Sequence, residues 1–453
     1  MGLDFKIKDF AYPFAILRQK RIFDKTQWWS VSELEAYQFG KLKAILRHAY
    51  DHVPYYRDLF QQYSLRLSDI CSLDDIKKIP CLTKNTIQHS GNLLVAHNIK
   101  KFNPHWVSTS GTTGGQIKLC MDKYANTLEF AYYWHFWGWA GYRLGDAFAE
   151  ISAEHFLPYE KNRTRFFEYQ PLFRRLLLNS LLLSEKSSEQ YIKCFRKFKP
   201  KFLKGLASNL YALALLIGEN HYHGICFKAI FSQGENLLKS QREKIEKTFS
   251  CKVHDSYGHM ERTVTISQCP KGNCHINMNY GLLEIEPVYN AEVAGGLQAD
   301  EYIGEVIGTG LYNFAMPLIR YRTGDWVKVK HNPEKCPCGR HFPTVLSILG
   351  RESDIIVTPD GRMITALYVV FDRTPGILRG QIIQEERDSL LVRAAVSNGY
   401  EGKAVFELEK NIRNFTGETV RIRIELQDLS QFQTPGKFKN IISKVNPVIR
   451  DAK

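Results

Sequence analysis

Ser108-Thr109-Ser110-Gly111-Thr112-Thr113-Gly114-Gly115 is the stretch from which the rest of this chain is read. Its three glycines let a backbone turn tightly around an anion, and its Ser and Thr hydroxyls supply donors. Phosphate is the natural ligand of such a loop. It is not a Walker loop, because no Gly-Lys-Ser/Thr follows. Standing alone, the composition would read as a flexible linker. Here Trp106-Val107 precede it and Ile117-Lys118-Leu119 follow, so the loop is embedded in structure.

The surrounding chain has 453 residues, too many for one ordinary core, and two domains or more are expected. Hydrophobic residues make up 44% and charged residues 24%, the balance of a globular chain rather than a disordered one. No apolar run reaches the length of a bilayer span, and Leu210 to Ile217 reads as a buried helix. The first residues mix acidic and basic side chains with no apolar region behind them, which is not the pattern of a signal peptide. Ten scattered cysteines, two of them in a Cys-x-Cys pair, favour a reducing cytoplasm over a disulfide scaffold. The net charge of +14 suits polyanions: ATP, coenzyme A, nucleic acid or an anionic membrane. Much of it falls between Lys161 and Lys204, in Arg163, Arg165, Arg174, Arg175, Arg196, Lys197 and Lys199, and reads as a solvated helical face.

There is no internal repeat. Ser32 to Ala49 has helical periodicity in Leu34, Tyr37, Leu42, Ile45 and Leu46, with Ser32 and Glu35 as a capping box. Lys228 to Ser256 reads as strand, turn, amphipathic helix and strand, a unit that normally closes with parallel strands. Gly304 to Gly310 and Trp326 to Lys330 read as strands of another sheet. After Gly350 the pattern changes to short alternating strands and two helices. The expected architecture is α/β: a large N-terminal domain over 1–349 and a small, mobile α+β C-terminal domain over 350–453.

Five segments taken in order resemble the acyl-adenylate-forming superfamily. The 108–115 loop is similar to its phosphate loop. Ser232-Gln233-Gly234-Glu235-Asn236 resembles the adenine-contacting turn, and Tyr257-Gly258-His259-Met260-Glu261 the aromatic–Gly–x–x–Glu signature. Tyr321-Arg322-Thr323-Gly324-Asp325 resembles the ribose-binding motif, and Gly350-Arg351-Glu352-Ser353-Asp354 the hinge into the C-terminal domain. The branch resembled is the phenylacetate–CoA ligase-like group, including proteins associated with capsular polysaccharide genes. Tyr50-Asp51-His52-Val53-Pro54-Tyr55-Tyr56 is similar to that branch as well.

The resemblance implies ATP- and Mg²⁺-dependent activation of a carboxylic acid as an acyl-adenylate, then thioester formation with coenzyme A. Two anions must approach each other, so neutralising charge is the main task. Glu261 offers Mg²⁺ a hard carboxylate ligand. Tyr257 offers adenine an aromatic face, and Asp325 can accept bonds from both ribose hydroxyls. Arg322 and Arg351 are fixed cations near the phosphates, and Thr112 joins them as a loop hydroxyl. Late in the chain, Thr434-Pro435-Gly436-Lys437 matches the family's Gly-Lys, whose lysine reaches the α-phosphate during adenylation; Lys439 and Lys444 are its rivals.

A second site is read from Cys269, His275, Cys336 and Cys338: soft ligands in two clusters suit a closed structural Zn²⁺. Cys274 is an alternative to Cys269, and Gly339-Arg340 would close the knuckle. The run Phe130, Tyr132, Tyr133, Trp134, Phe136, Trp137 and Trp139 reads as a buried helix, one face of which is a candidate acyl-pocket wall. Two rivals to the thiol ligase remain: direct transfer of the acyl group to an amine or sugar, and a basic zinc-containing nucleic-acid binder. The second lacks a reading helix or an aromatic RNA-binding signature, so no nucleic-acid partner is expected.

Overall fold

The computed structural model describes residues 12–108, 117–152, 155–156, 165–183, 187–218, 225–289, 298–351, 356–359, 363–364, 367–432 and 439–445. Helices α1 (Tyr12–Thr26), α2 (Val31–His52), α3 (Pro54–Gln62) and α4 (Lys84–Ser90) come first. α2 buries Leu34, Leu42, Ile45, Leu46 and Ala49, the stripe that its periodicity predicts. Its cap differs from the expected one. Ser30 accepts from the Glu33 amide at 3.3 Å, and Glu33 accepts from the Ser30 amide at 2.8 Å. Ser-x-x-Glu occurs twice here in overlapping frames. The first frame wins because Ser30 has the extended backbone of a cap, whereas Ser32 is already helical.

Strands β1 (His105–Ser108) and β2 (Lys118–Met121) form an antiparallel hairpin with Ser108 opposite Lys118. Asp122 then caps α5 (Lys123–Trp139) by accepting from the Ala125 amide. This aromatic helix is buried along Leu128, Ala131, Tyr132, Phe136 and Trp139, while Phe130 is exposed.

Next come β3 (Phe148–Ser152), β4 (Phe167–Gln170), β5 (Arg175–Asn179), α6 (Ser188–Phe198), β6 (Phe202–Gly205) and α7 (Ala207–Ile217). They lead into β7 (Ala229–Gln233), α8 (Lys239–Phe249), β8 (Val253–Gly258), β9 (Thr265–Gln268) and β10 (Cys274–Ile276). With β14 (Thr344–Val345) these strands form a nine-stranded sheet, in the order β14-β10-β9-β8-β7-β6-β3-β5-β4. β5, β3, β6, β7 and β8 are parallel neighbours. Both faces of this block are covered, as a parallel sheet requires. Phe148, Phe202 and Phe231 face α5 on one side. Ile151, Leu203, Ile230 and Val253 meet α6, α7 and α8 on the other.

β11 (Gly281–Tyr289), β12 (Glu301–Gly310), β13 (Tyr321–Lys330) and β15 (Ser347–Arg351) make a four-stranded antiparallel sheet. Gly308 matters to it: a Cβ there would collide with the Thr263 side chain. Its absence lets the segment after β8 lie directly on this sheet. Beyond it lie β16 (Ile356–Val357), β17 (Met363–Ile364), α9 (Val369–Arg373), β18 (Ile377–Glu386), β19 (Ser389–Val396), α10 (Glu401–Thr416), β20 (Arg421–Leu426) and β21 (Ile441–Ser443). A sheet ordered β20-β19-β18-β21 and its helices share a separate core of Ile382, Val392, Leu408 and Ile412. No described helix is long and apolar enough to cross a membrane.

Candidate active site

The parallel strands deliver their C-terminal ends to one edge, where open α/β sheets bind ligands. β7 ends in the turn at Gly234, whose φ is +78°. Beside it β8 carries Tyr257, with Ser232 opposite Asp255 and Gln233 opposite Ser256. Asp325 reaches this edge through a bulge. Trp326 pairs with Glu305 and Arg322 with Ile307, so Thr323, Gly324 and Asp325 stand opposite a single residue of β12. Gly324 takes a left-handed φ of +68° there. Asp325 is thereby lifted to accept a 2.7 Å bond from the Tyr257 hydroxyl. Burial raises the Tyr257 phenol well above its ordinary pKa, so it remains a neutral donor.

Glu261 is 8% exposed and fully engaged. Tyr321 donates to Oε1 at 2.9 Å, and His259 Nδ1 lies 3.0 Å from Oε2. Burial pushes this carboxyl up, but the bonds from His259 and Tyr321 outweigh it and hold the pKa at about 2. Each oxygen keeps a lone pair beyond the bond it accepts. An ionised carboxylate fixed in place in this way fits a Mg²⁺ ligand.

Arg262 sits beside it with a left-handed φ of +53°. Its guanidinium donates to Asn126 Oδ1 and lies 3.9 Å from Glu129. Asn126 also contacts His105 at 3.0 Å. The base of the β1–β2 hairpin is therefore tied to the Glu261 segment. The loop between those strands, Thr109 to Gly115 with Thr112 among them, lies outside the described residues, as does the side chain of Ser108.

A further acceptor occurs on β8. Asp255 shares the face of Tyr257, two residues away. Its Oδ1 and the Ser232 Oγ are both sealed from solvent without a well-aligned hydrogen bond, although the Ser232 hydroxyl still favours the ionised carboxylate. Burial, against the pull of Arg242, pushes the Asp255 carboxyl up to about 6.

The metal candidates also assemble. The ligand atoms of Cys269, His275, Cys336 and Cys338 all lie within 4.8 Å of one another. The Cys269 and Cys336 sulfurs are 3.7 Å apart, and Cys338 Sγ is 3.3 Å from His275 Nε2. Tetrahedral Zn–S bonds of about 2.3 Å imply a sulfur separation near ~3.8 Å. His275 Nδ1 lies 3.1 Å from the Phe342 carbonyl, so a donated bond there leaves Nε2 as the ligand. Cys274 is not part of the set. It packs in the cluster of Val264 and Ile266, where burial raises its thiol to about 12. Arg340 clamps the knuckle down, with its guanidinium 4.8 Å from the Trp28 ring and 4.0 Å from the Trp139 ring.

No family model matches the chain. It is 23% identical over 353 residues to Protein CapK of Staphylococcus aureus, which covers 76% of this chain and 74% of that protein. It is 23% identical over 443 residues to the phenylacetate-coenzyme A ligase of Aromatoleum evansii, covering 92% of this chain and 95% of the ligase. A crystal structure of 2-hydroxyisobutyryl-CoA ligase in the postadenylation state, in complex with R3-HIB-AMP, matches with a TM-score of 0.69 at 18% identity, covering 93% of this chain and 92% of that one. This is the fold of the adenylate-forming ligases. By sequence the chain is a relative of the phenylacetate–CoA ligase-like proteins.

Within this adenylate-forming fold the expected site residues separate into three groups. Tyr257, Gly258, Glu261, Asp325 and the Gly234-Glu235 turn lie at or near the one edge. Arg351 pairs through its backbone with Asp325, so it stands at the right register; its side chain lies outside the described residues. Arg322 departs from expectation. It alternates with Tyr321 to the opposite face of β13, where Glu286 and Glu305 both hold its guanidinium. Those acids are cross-strand neighbours, so Arg322 offsets their repulsion instead of facing the Tyr257–Asp325 pair. Lys437 and the hinge residues Glu352 to Asp354 lie outside the described residues. Of its rivals, Lys444 is taken by Glu385 at 2.7 Å. The sequence reading missed Asp255, His259 and Arg262 as working residues. His259 stood inside a quoted motif, and only its ring geometry reveals that it holds Glu261.

The basic run from Lys161 to Lys204 also needs correcting. Lys204 is largely withdrawn from solvent and Arg175 partly so: both are paired to the buried Glu150, Lys204 at 3.1 Å. Both sit on strands, where the next parallel strand brings an acid within reach.

Proposed function

We propose that this chain uses ATP and Mg²⁺ to activate a carboxylic acid as an acyl-adenylate and passes the acyl group to coenzyme A. The observation that carries this reading is a pair of bonds crossing between the β8 segment and β13. Tyr257 to Asp325 and Tyr321 to Glu261 fix two carboxylates beside the base of the 108–118 hairpin. Asp325 would accept the ribose hydroxyls and Tyr257 would cover the adenine ring. Glu261 would hold Mg²⁺, which when bound neutralises charge between the triphosphate and the incoming carboxylate. His259 and Tyr321 keep Glu261 ionised and oriented, so its charge is in place before the nucleotide arrives. The Ser/Thr/Gly loop would hold the phosphates, and Lys437 would reach the α-phosphate from the C-terminal module. Cys269, His275, Cys336 and Cys338 would hold a structural zinc away from the chemistry. The relatives named phenylacetate-coenzyme A ligase support coenzyme A as acceptor.

A pyrophosphate-exchange screen over aromatic, aliphatic and hydroxylated carboxylic acids tests the first half-reaction whatever the acceptor. Exchange that depends on one acid class, followed by AMP release that needs coenzyme A, is expected. No exchange with any acid would sink the adenylation reading. Exchange with coenzyme A inert would leave an amine or sugar as acceptor.

A further inference from the structure

The edge of the large sheet opposite the nucleotide residues has a different character. The parallel strands begin there in step: Phe148 lies opposite both Arg175 and Phe202, and Phe202 opposite Ala229. The preceding connections are laced together by backbone bonds from Phe148 to Arg174, Lys201 to Ala147 and Lys228 to Lys201. Residues 140–147, 171–174, 199–201 and 226–228 therefore form one continuous rim. It carries exposed Arg143, Arg174, Lys199, Lys201 and Lys228, and the last turn of α6 adds exposed Arg196 and Lys197. The one acid in those four connections, Asp146, is already paired with Lys201.

Three large apolar side chains project from this basic rim. β4 and β5 form a hairpin closed by Gln170 opposite Arg175. Its tip is a 3₁₀ turn, Pro171–Phe173, followed by Arg174 in the left-handed region at φ +49°. The turn leaves Leu172 87% and Phe173 67% exposed, and Leu144 on the neighbouring connection is 52% exposed. An apolar tip ringed by cations makes an unusual surface, and exposed patches of this kind mark interaction sites.

The charges decide among occupants. A second copy using the same face would set this basic rim against itself. A nucleic acid would match the cations and could stack on Phe173, but it offers nothing to Leu144 and Leu172, which have no π-face. An anionic bilayer answers both features: lipid phosphates meet the cations and the acyl boundary takes the apolar tip. We propose that this rim docks on an anionic lipid surface, with Leu172 and Phe173 entering the interface and Arg143, Arg174, Lys199 and their neighbours lying against the headgroups. The docked orientation turns the opposite edge, with Tyr257 and Asp325, away from the lipid and toward soluble nucleotide.

Flotation of the full chain with vesicles tests this. Vesicles of phosphatidylcholine with phosphatidylglycerol are expected to carry the protein, and pure phosphatidylcholine vesicles are not. Added salt should weaken the binding, because exposed charges are screened. The double variant Leu172→Ser/Phe173→Ser should reduce the bound fraction about tenfold or more, with an unchanged melting temperature. Arg174→Glu/Lys199→Glu should abolish binding. No flotation of the parent protein at low salt would overturn the proposal. So would anionic-vesicle binding that survives Leu172→Ser/Phe173→Ser, or a stable dimer in sedimentation velocity that the same variant dissociates. Retention on RNA in preference to vesicles would overturn it in favour of a nucleic-acid surface.

Discussion

Glu261 is worth more than its charge, because His259 and Tyr321 fix both its oxygens. Replacing it with Gln keeps the shape and removes the anion. Glu261→Gln is expected to lower adenylation about a hundredfold or more, the usual scale of about 2.7–4 kcal/mol for one lost electrostatic group. Pyrophosphate exchange checks it, with an unchanged melting curve as control; near-normal exchange would remove Glu261 from the chemistry. Asp255 gives a prediction of opposite sign. Its folded pKa of about 6 lies above the ordinary carboxylate value. The folded state thus binds that proton more tightly than the unfolded chain does. The ionised form costs stability above pH 6, and the loss is recovered as pH falls from about 6 toward about 4. Asp255→Asn should stabilise the protein at pH 8 by up to about 3 kcal/mol, with the gain shrinking at pH 5. Urea unfolding at both pH values measures it, and equal destabilisation at both would mean that the carboxylate is structurally required. Glu261 and Asp325 were legible in the sequence because a motif surrounds each. Asp255 was not, since only the pairing of β7 with β8 shows that it is buried opposite Ser232.

Strand registers explain most of what the sequence hid. The helical stripe of α2, the β7–α8–β8 unit and the strands of the second sheet could all be read from periodicity, which reports one element at a time. Pairing between elements leaves no such local trace. The bulge that lifts Asp325 and the alternation that turns Arg322 toward Glu286 and Glu305 both depend on which strand lies opposite. The same holds for the cysteines. Spacing could not choose between Cys269 and Cys274, but the β9–β10 hairpin does, by turning Cys274 toward Val264 and Ile266. One zinc per chain is therefore expected on Cys269, His275, Cys336 and Cys338, in protein purified without added metal. Cys336→Ser, or a strong chelator, should lower the melting temperature by more than about 5 °C, given apparent structural-zinc binding energies on the order of 10 kcal/mol. Cys274→Ser should leave the zinc content unchanged. Metal analysis that finds no zinc, with full stability in chelator, would reduce the cluster to free thiols.

The division of labour between the large body and the C-terminal module yields the last prediction. Every described residue proposed for the nucleotide site, Arg351 included, lies before the separate core of β18, β19 and α10. Burial lowers the Arg379 pKa on β18, and the charge of Glu235, in the turn after β7, acts against that shift. Lys437 belongs to the C-terminal module by sequence, in a Gly-Lys pair ahead of β21. A lysine brought in by closure of that module would stabilise the step in which negative charge builds between carboxylate and α-phosphate. If the module then swings away for transfer to the thiol, the same lysine is remote from the second step. Lys437→Ala should therefore impair adenylation about a hundredfold or more, while leaving transfer from chemically supplied acyl-adenylate close to normal. Single-turnover kinetics of each half-reaction decide this. Equal losses in both would mean that the module does not move between steps, with Lys437 still a phosphate ligand. No loss in either, with Lys439→Ala inactive instead, would move the role two residues along the chain. Arg379→Ala adds an independent readout. Removing an attraction toward Glu235 that rotation would weaken should speed the second half-reaction if domain movement limits it, and a fixed module would show no such gain.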